Sequence, residues 1–316
     1  MKRRGEIKTV SKVRSRTLWQ DAWRRFRQNK AAISGAVIIL TLVILAIGAP
    51  WIAPYHYAEG KIRENYAPPS AKHWLGCDFL GRDILSRLIY GTRVSLTIAV
   101  VSGVTSLVIG VTYGVVSGYF GGMVDNIMMR FVDIAWGFPT LLLIILMMVF
   151  FKSTFAHVEP GTFAGAVSAI DRAMGGMFFI CIGIGLTSWL YIARLARGMV
   201  LSLRERDFVE AARAVGASGW RIIRKHLLGN ILGPCIVQVM LQIPGFILYE
   251  AFLSFIGLGV DPPTPSWGMM IQEGYRAMRS HFYIIASPAA VLSITMLAFN
   301  FLGDGLRDAL DPRSRL

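Results

Sequence analysis

The chain has 316 residues, of which 54% are apolar and only 16% carry a formal charge. Soluble domains average about 25% charged residues, so this composition excludes an ordinary soluble protein and a disordered one. The net charge of +14 could indicate a nucleic acid partner, but most basic residues flank long apolar runs, so we expect a membrane protein that binds no nucleic acid.

Six uncharged runs are long enough to cross a bilayer, which requires about 20 mostly apolar residues. A membrane β-barrel would instead show alternating segments of about 9–11 residues. The sequence therefore predicts an all-α integral membrane protein with six transmembrane helices. The runs cover residues 31–58, 94–124, 134–151, 173–193, 226–249 and 280–303.

The distribution of basic residues predicts the orientation of these spans. The segments on the same side as the N-terminus hold 23 Lys and Arg, and the opposite segments hold 10. Because basic loops stay inside, we expect both termini in the cytoplasm. The predicted regions are a basic N-terminal segment (1–30), a first span with an outer segment (31–93), a core of five spans (94–305) and a tail (306–316).

The N-terminal segment carries an amphipathic pattern just before the first span. Trp19, Trp23 and Phe26 recur at helical spacing among basic residues. This pattern is typical of a helix lying in the headgroup layer and in contact with membrane lipid. A basic tail that contacts nothing is the alternative.

The second span has small residues at every fourth position, including Gly110, Gly114 and Gly118. Repeated small residues at this spacing let another helix approach closely in a membrane. The neighbouring helix could belong to this chain or to a second membrane subunit.

The fifth span has a polar face formed by Gln238, Gln242 and Tyr249, and Glu250 follows directly. Polar groups at membrane depth usually face protein or a water-filled path. These four residues therefore either form hydrogen bonds between helices or line a translocation path.

The loop at about 204–229 predicts a short helix on the cytoplasmic side. Gly216 is suited to end that helix, and Ser218 is suited to cap a second one that runs to Leu228. A small apolar face held away from the membrane favours docking into a partner's groove, although a helix resting on the membrane surface is the alternative. The apolar positions follow helical spacing: Phe208, Ala211, Ala212 and Val215.

This loop resembles the EAA loop of the membrane subunits of ABC importers, because Glu210-Ala211-Ala212 is followed by Gly216. The resemblance implies a coupling helix that seats in a cleft of an ATP-hydrolysing subunit. The family pattern usually continues to Leu-Pro, whereas here Leu228 is followed by Gly229.

Four further segments are similar to the dipeptide, oligopeptide and nickel permeases of that family. Cys77 stands where threonine is more usual. The segments are Phe26-Arg27-Gln28-Asn29-Lys30, then His73-Trp74-Leu75-Gly76 with Gly81-Arg82-Asp83, then Pro262-Pro263-Thr264-Pro265-Ser266-Trp267-Gly268, and Leu306-Arg307-Asp308 near the end.

The resemblance implies a type I ABC importer permease fold in a prokaryotic plasma membrane. It also implies a heterodimer with a second homologous permease, two ATP-binding subunits at the cytoplasmic face and an external solute-binding protein. The sequence has no phosphate-binding GxxxxGK[ST] motif, so we expect a subunit that is not an enzyme and binds no cofactor, with ATP and magnesium held by the partner subunits. The implied cargo is a di- or oligopeptide, with nickel or an oligosaccharide as alternatives.

Two other classes of function are less consistent with the sequence. An ion-coupled secondary transporter would show inverted repeats with matching broken helices, and only the fifth span contains a Pro-Gly interruption. A membrane scaffold without a path would leave the polar face of that span unexplained.

One cluster of metal-ligating residue types occurs in the outer segment. His73, Cys77, Asp78 and Asp83 could be assembled into a metal site, but their spacing fits no standard zinc arrangement. From the sequence we expect no metal and a structural role for these residues.

Overall fold

The computed structural model describes residues 18–155, 158–159 and 161–310, with side chains from residue 23 onward. This part of the chain is helical, as predicted, while residues 1–17 of the basic segment and 311–316 of the tail lie outside it. The helices are α1 (Leu18–Gln28), α2 (Lys30–Ile52), α3 (Ile84–Phe120), α4 (Gly122–Trp136), α5 (Thr140–Phe155), α6 (Phe163–Ala173), α7 (Met177–Arg204), α8 (Asp207–Ala214), α9 (Gly219–Arg221), α10 (Leu228–Phe255), α11 (Trp267–Ala277) and α12 (Tyr283–Leu310).

Five helices are long and apolar enough to span a bilayer, namely α2, α3, α7, α12 and the continuous helix Gly219–Phe255. Helices α4 and α5 meet the same criterion together, but they are bent by 90° relative to each other. The six predicted spans correspond to these five helices and the bent pair. The predicted third span, 134–151, is therefore not one straight helix. Pro139 accounts for the break, because a proline disfavours the helical conformation of the residue before it, here Phe138.

The helices extend beyond the uncharged runs that predicted them. Helix α7 continues from Met177 to Arg204, although its uncharged run ends at Ala193. Arginine is a good helix former, so a charge marks where a helix leaves the hydrocarbon and not where the helix ends.

Helix α1 forms where the amphipathic pattern predicts it. The rings of Trp23 and Phe26 stack with centroids 5.9 Å apart, and the guanidinium of Arg27 lies 5.3 Å from the Trp23 ring. Asn29 then begins α2, since its side chain accepts a hydrogen bond from the amide of Ala32 at 3.1 Å. The location of α1 in the headgroup layer stays a prediction.

The glycine face of α3 packs against α7 of the same chain. An added Cβ would lie 2.6 Å from Ile192 Cβ at Gly110, 2.4 Å from the carbonyl oxygen of Ala193 at Gly114, and 2.9 Å from Val200 Cβ at Gly118. The prediction of close helix packing at these glycines is confirmed, and the neighbouring helix is α7.

Replacing Gly114 by alanine should force α3 and α7 apart, because the new methyl group meets a backbone oxygen. Overpacking of this kind costs about 1–3 kcal/mol. The matched control is Gly198→Ala in α7, where an added Cβ meets nothing within 4 Å. We expect a lower melting temperature for detergent-purified Gly114→Ala and an equal or higher one for Gly198→Ala. Equal melting temperatures for Gly114→Ala and the unmodified protein would contradict the tight contact.

Candidate functional site

Helix α8 packs against the rest of the chain through Val209, its one buried residue. Val209 has no exposed surface and packs in a cluster with residues of α3, α7 and the segment 222–231. Of the apolar residues predicted for docking, Phe208 is 41% exposed and Val215 is 89% exposed, whereas Ala212 is half-buried and packs against this cluster. Glu210 and Ala211 are exposed as well. Helix α8 therefore leaves small and apolar side chains uncovered. The carboxylates of Asp207 and Glu210 are exposed too, and Glu210 lies about 160° from Phe208 around the helix.

The C-terminal end of α8 is fixed by Gly216. This glycine has φ of +82°, and its amide bonds to the carbonyl of Arg213 at 2.9 Å while that of Ala217 bonds to the carbonyl of Ala212 at 3.0 Å. These two bonds form a Schellman motif, which needs a left-handed residue at this position. The prediction that Gly216 ends the helix is confirmed.

The next helix starts at the predicted cap but runs further than predicted. Ser218 Oγ accepts a hydrogen bond from the amide of Arg221 at 3.4 Å, and a π-helical turn over Ile222–Leu227 leads without a break into α10. The predicted end near Leu228 is wrong. Gly229 lies inside a continuous helix, because packing of its neighbours offsets the low helix propensity of one glycine. Only a short turn thus separates the exposed helix α8 from the continuous helix Gly219–Phe255, which contains span α10.

A cavity of about 360 Å³ lies between the α4–α5 bend, α7 and α10. Gln242 and Tyr249, two of the predicted path residues, line it. The other lining groups are aromatic, hydroxylic or aliphatic, and among the described residues none of them is charged. They include Trp136, Phe138, Thr187, Ser188, Tyr191 and Phe246.

Two polar atoms of the residues that line this cavity have free hydrogen-bonding capacity. Gln242 Oε1 and Ser188 Oγ are buried and have no hydrogen-bond partner in the described part of the chain. Unpaired buried polar atoms are costly, so these two are well placed to bind a polar ligand. The nearby Arg194 stacks on the Trp136 ring at 4.4 Å and pairs with Asp133 at 2.7 Å, which neutralises its charge.

The other two predicted path residues lie outside the lining of this cavity. Gln238 is half-buried on α10, about one turn from Gln242. Glu250 is completely buried, and its carboxylate accepts hydrogen bonds from Ser95 Oγ at 3.1 Å and Ser254 Oγ at 2.8 Å. The structure therefore separates Glu250, which joins α3 to α10, from the two cavity residues.

The outer segment between α2 and α3 is held by a buried ionic network. Asp78 accepts a hydrogen bond from Arg82 Nε at 2.7 Å and pairs with Arg87. Both arginines also reach Glu273 of α11, with Arg82 Nη2 at 3.0 Å from Glu273 Oε1. The motif around Gly81-Arg82-Asp83 therefore ties the outer segment to α11, which agrees with a structural role.

A second group in the outer segment brings Glu64, His73 and Cys77 together. One potential ligand atom of each residue lies within 4.8 Å of the others. Pairing with Lys72 lowers the pKa of Glu64, whose side chain is therefore ionised. Burial raises the pKa of the Cys77 thiol to about 11, with a further contribution from the charge of Asp83. An isolated Cys77 is thus a neutral thiol at pH 7.

Several of these residues could not be found from the sequence. Glu273 lies 191 positions from Arg82, and no local pattern connects them. Glu64 follows no metal-binding spacing with His73. Ser188 stands in an apolar run where a hydroxyl usually bonds to its own helix.

Comparison with protein families matches most of this chain to one family. Residues 110–316 match "Binding-protein-dependent transport system inner membrane component". Residues 17–69 match the N-terminal transmembrane domain of oligopeptide transport permease C.

Curated relatives align over nearly the whole chain. The dipeptide transport system permease protein DppC of Bacillus subtilis is 42% identical over 94% of this chain and 86% of its own length. The oligopeptide transport system permease protein OppC is 41% identical in Bacillus subtilis, covering 98% and 94% of the two chains. In Escherichia coli K12 it is 37% identical, covering 96% and 94%.

A solved structure shares the fold at low sequence identity. A chain of the methionine ABC transporter MetNI, in an inward facing conformation, superposes with a TM-score of 0.53 at 21% identity. The match covers 72% of this chain and 97% of that one. Both chains therefore have the ABC importer permease fold.

Proposed function

Because this chain belongs to the binding-protein-dependent inner membrane components of ABC transport, we propose that it forms half of a translocation path for di- or oligopeptides. The family makes it a multi-pass, non-catalytic permease subunit of the bacterial inner membrane. The observation that carries the peptide cargo is the identity of 42% and 41% to permeases named for dipeptide and oligopeptide transport.

The family name implies an external binding protein and an ATPase as partners. We propose two ATP-binding subunits, which hold ATP and magnesium, and a second homologous permease in a heterodimer. Helix α8 would dock into the ATPase with its exposed surface, placing Phe208 and Val215 on one side of the contact and Glu210 on the other. The exposure of that surface and the single buried anchor at Val209 support this assignment. With α8 on the cytoplasmic side, the outer segment faces the binding protein.

The cavity chemistry supports a peptide more than a metal ion as cargo. Nickel sites use imidazole, thiolate or carboxylate ligands, and the described lining of the cavity has none of these side chains. Amide and hydroxyl groups beside aromatic rings suit the main chain of a peptide, which offers donors and acceptors whatever its side chains are. An oligosaccharide could use the same groups.

Uptake measurements with the assembled transporter test the cargo. Cells that carry this chain and its partners should accumulate labelled di- or oligopeptides in an ATP-dependent way, and cells without this chain should not. Uptake of nickel or an oligosaccharide without peptide uptake would replace the proposed cargo. Peptide uptake driven by an ion gradient alone would contradict the ABC mechanism.

Replacement of Gln242 by leucine should reduce peptide uptake several-fold, because it removes an unpaired amide oxygen next to the proposed path. The matched control is Gln238→Leu, which makes the same change about one turn away, outside the cavity lining. We expect Gln238→Leu to retain most uptake at an equal amount of transporter in the membrane. Equal uptake by the two variants would show that the cavity is not on the path.

A further inference from the structure

The outer segment has a cluster of side chains that neither the transport path nor the ionic network uses. We propose that Glu64, His73 and Cys77 form a binding site for a divalent transition-metal cation of the zinc class. The site lies on the side opposite α8 and is independent of the proposed cargo.

The geometry of His73 points to a metal ligand. Its ring is buried, with 7% of the side chain exposed, and Nδ1 lies 2.9 Å from Asp83 Oδ1. Because Asp83 is an acceptor, this contact requires a proton on Nδ1, and in the neutral ring the lone pair is then on Nε2. Metal-binding histidines are usually oriented by a carboxylate in this way.

The Nε2 atom of His73 lies next to Glu64 and forms no hydrogen bond in the described part of the chain. It lies 3.3 Å from Glu64 Oε2, but the two groups are not aligned as a hydrogen bond, and Nε2 has no other partner among the described residues. A buried ring nitrogen without a partner is costly. A cation between Nε2, the carboxylate and the thiol would remove that cost.

The donor set fits zinc chemistry. Glu64 keeps Oε2 available because Lys72 binds its other oxygen, and the Cys77 side chain is completely buried beside it. One imidazole, one thiolate and one carboxylate make three ligands of types found in zinc sites, and water can complete four-coordination. A coordinating thiol loses its proton to the cation.

The site would fasten two parts of the outer segment to each other. Glu64 ends the short 3₁₀ turn Ile62–Glu64, whereas Cys77 pairs by a β-bridge with Asp83 directly before α3. A cation would therefore link the turn after α2 to the start of α3, next to the Asp78 network. The alternative is that the His73 ring contacts Glu64 and Asp83 directly, without metal.

Metal titration of the full-length chain, purified with its transporter partners, tests the site. The protein is stripped with a chelator and titrated with Zn²⁺ in competition with an indicator, and with Co²⁺, whose thiolate complex has a charge-transfer absorption. We expect one equivalent of either ion per chain, with that absorption in the Co²⁺ form. We expect Cys77→Ser to lose the absorption and at least tenfold in Zn²⁺ affinity, while Cys235→Ser, a buried cysteine of α10, keeps both.

Further variants keep the result interpretable. Cys77→Thr introduces the residue more usual in similar permeases, so it should assemble normally and still lose the Zn²⁺ affinity. Glu64→Gln should also weaken Zn²⁺ binding. Failure of the unmodified protein to bind Zn²⁺ would overturn the proposal in favour of the metal-free contact. Equal affinities in the unmodified protein and either Cys77 variant, or in Glu64→Gln, would overturn the three-residue site.

Discussion

The variant Gly216→Val should lose at least tenfold in ATP-dependent uptake while the transporter still assembles in the membrane. At φ of +82° a non-glycine residue costs about 1–2 kcal/mol, and a β-branched side chain fits this conformation least well. The last turn of α8 would then open. Val215, 89% exposed on the proposed docking face, would move out of register with the ATPase cleft.

A matched glycine separates this effect from a general effect of bulk. Gly229 lies inside the continuous helix, and an added Cβ there meets nothing within 4 Å. Gly229→Val should therefore retain uptake. Equal losses in Gly216→Val and Gly229→Val would contradict the special role of the α8 end.

Charge reversal at Glu210 tests docking of the same helix without changing the backbone. Glu210 is exposed, and within the described ranges it forms no ion pair, so Glu210→Lys should leave the fold intact. We expect loss of uptake and ATP hydrolysis that no longer responds to cargo. Normal uptake and cargo-stimulated hydrolysis in Glu210→Lys and Gly216→Val together would refute coupling through α8.

The end of α8 was predictable because its determinants are local. A Schellman motif depends on the residues of a single turn, and a glycine after an apolar helical pattern is its usual signal. The helix spans were predictable for a similar reason, since each must be apolar by itself. Pro139 was the local signal for the bend between α4 and α5, but a count of uncharged residues does not take prolines into account.

The candidate path was only partly predictable. Gln242 and Tyr249 differ by about 20° on a helical wheel, and Glu250 differs from Gln242 by about 80°. A helical wheel does not show whether a residue at the edge of the polar face lies next to a cavity or next to a neighbouring helix. For Glu250 the hydrogen bond from Ser95 of α3, which is distant in sequence, shows that the carboxylate faces a neighbouring helix.

The helix that packs against the glycine face of α3 was also not predictable from the sequence. Spacing at every fourth position indicates that a helix backbone approaches closely, but it does not name the neighbouring helix. The short distances from Gly114 to Ala193 identify that neighbour as α7. Likewise, the motif around Asp83 indicated a structural role for the outer segment. Only the folded structure shows that Glu64 lies next to His73 and Glu273 next to Arg82.

The variant Asp78→Asn should lower the stability of the permease far more than the same change at a surface ion pair. Asp78 is 1% exposed and faces both Arg82 and Arg87. Removing its charge leaves two buried guanidinium groups with Glu273 as their one remaining acidic partner in the described network. Breaking a buried ion pair from one side costs about 3–5 kcal/mol. The expected result is a large drop in melting temperature in detergent.

The control for this change is Asp133→Asn, because Asp133 pairs with Arg194 in an exposed setting, with side chains 57% and 39% exposed. Exposed pairs contribute about 0–1 kcal/mol, so its melting temperature should stay near that of the unmodified protein. In the double variant Asp78→Asn/Arg87→Met, one unpaired charge is removed, and the loss should be smaller than the sum of the two single losses. Additive losses, or equal effects at Asp78 and Asp133, would show that the network does not hold the outer segment on α11.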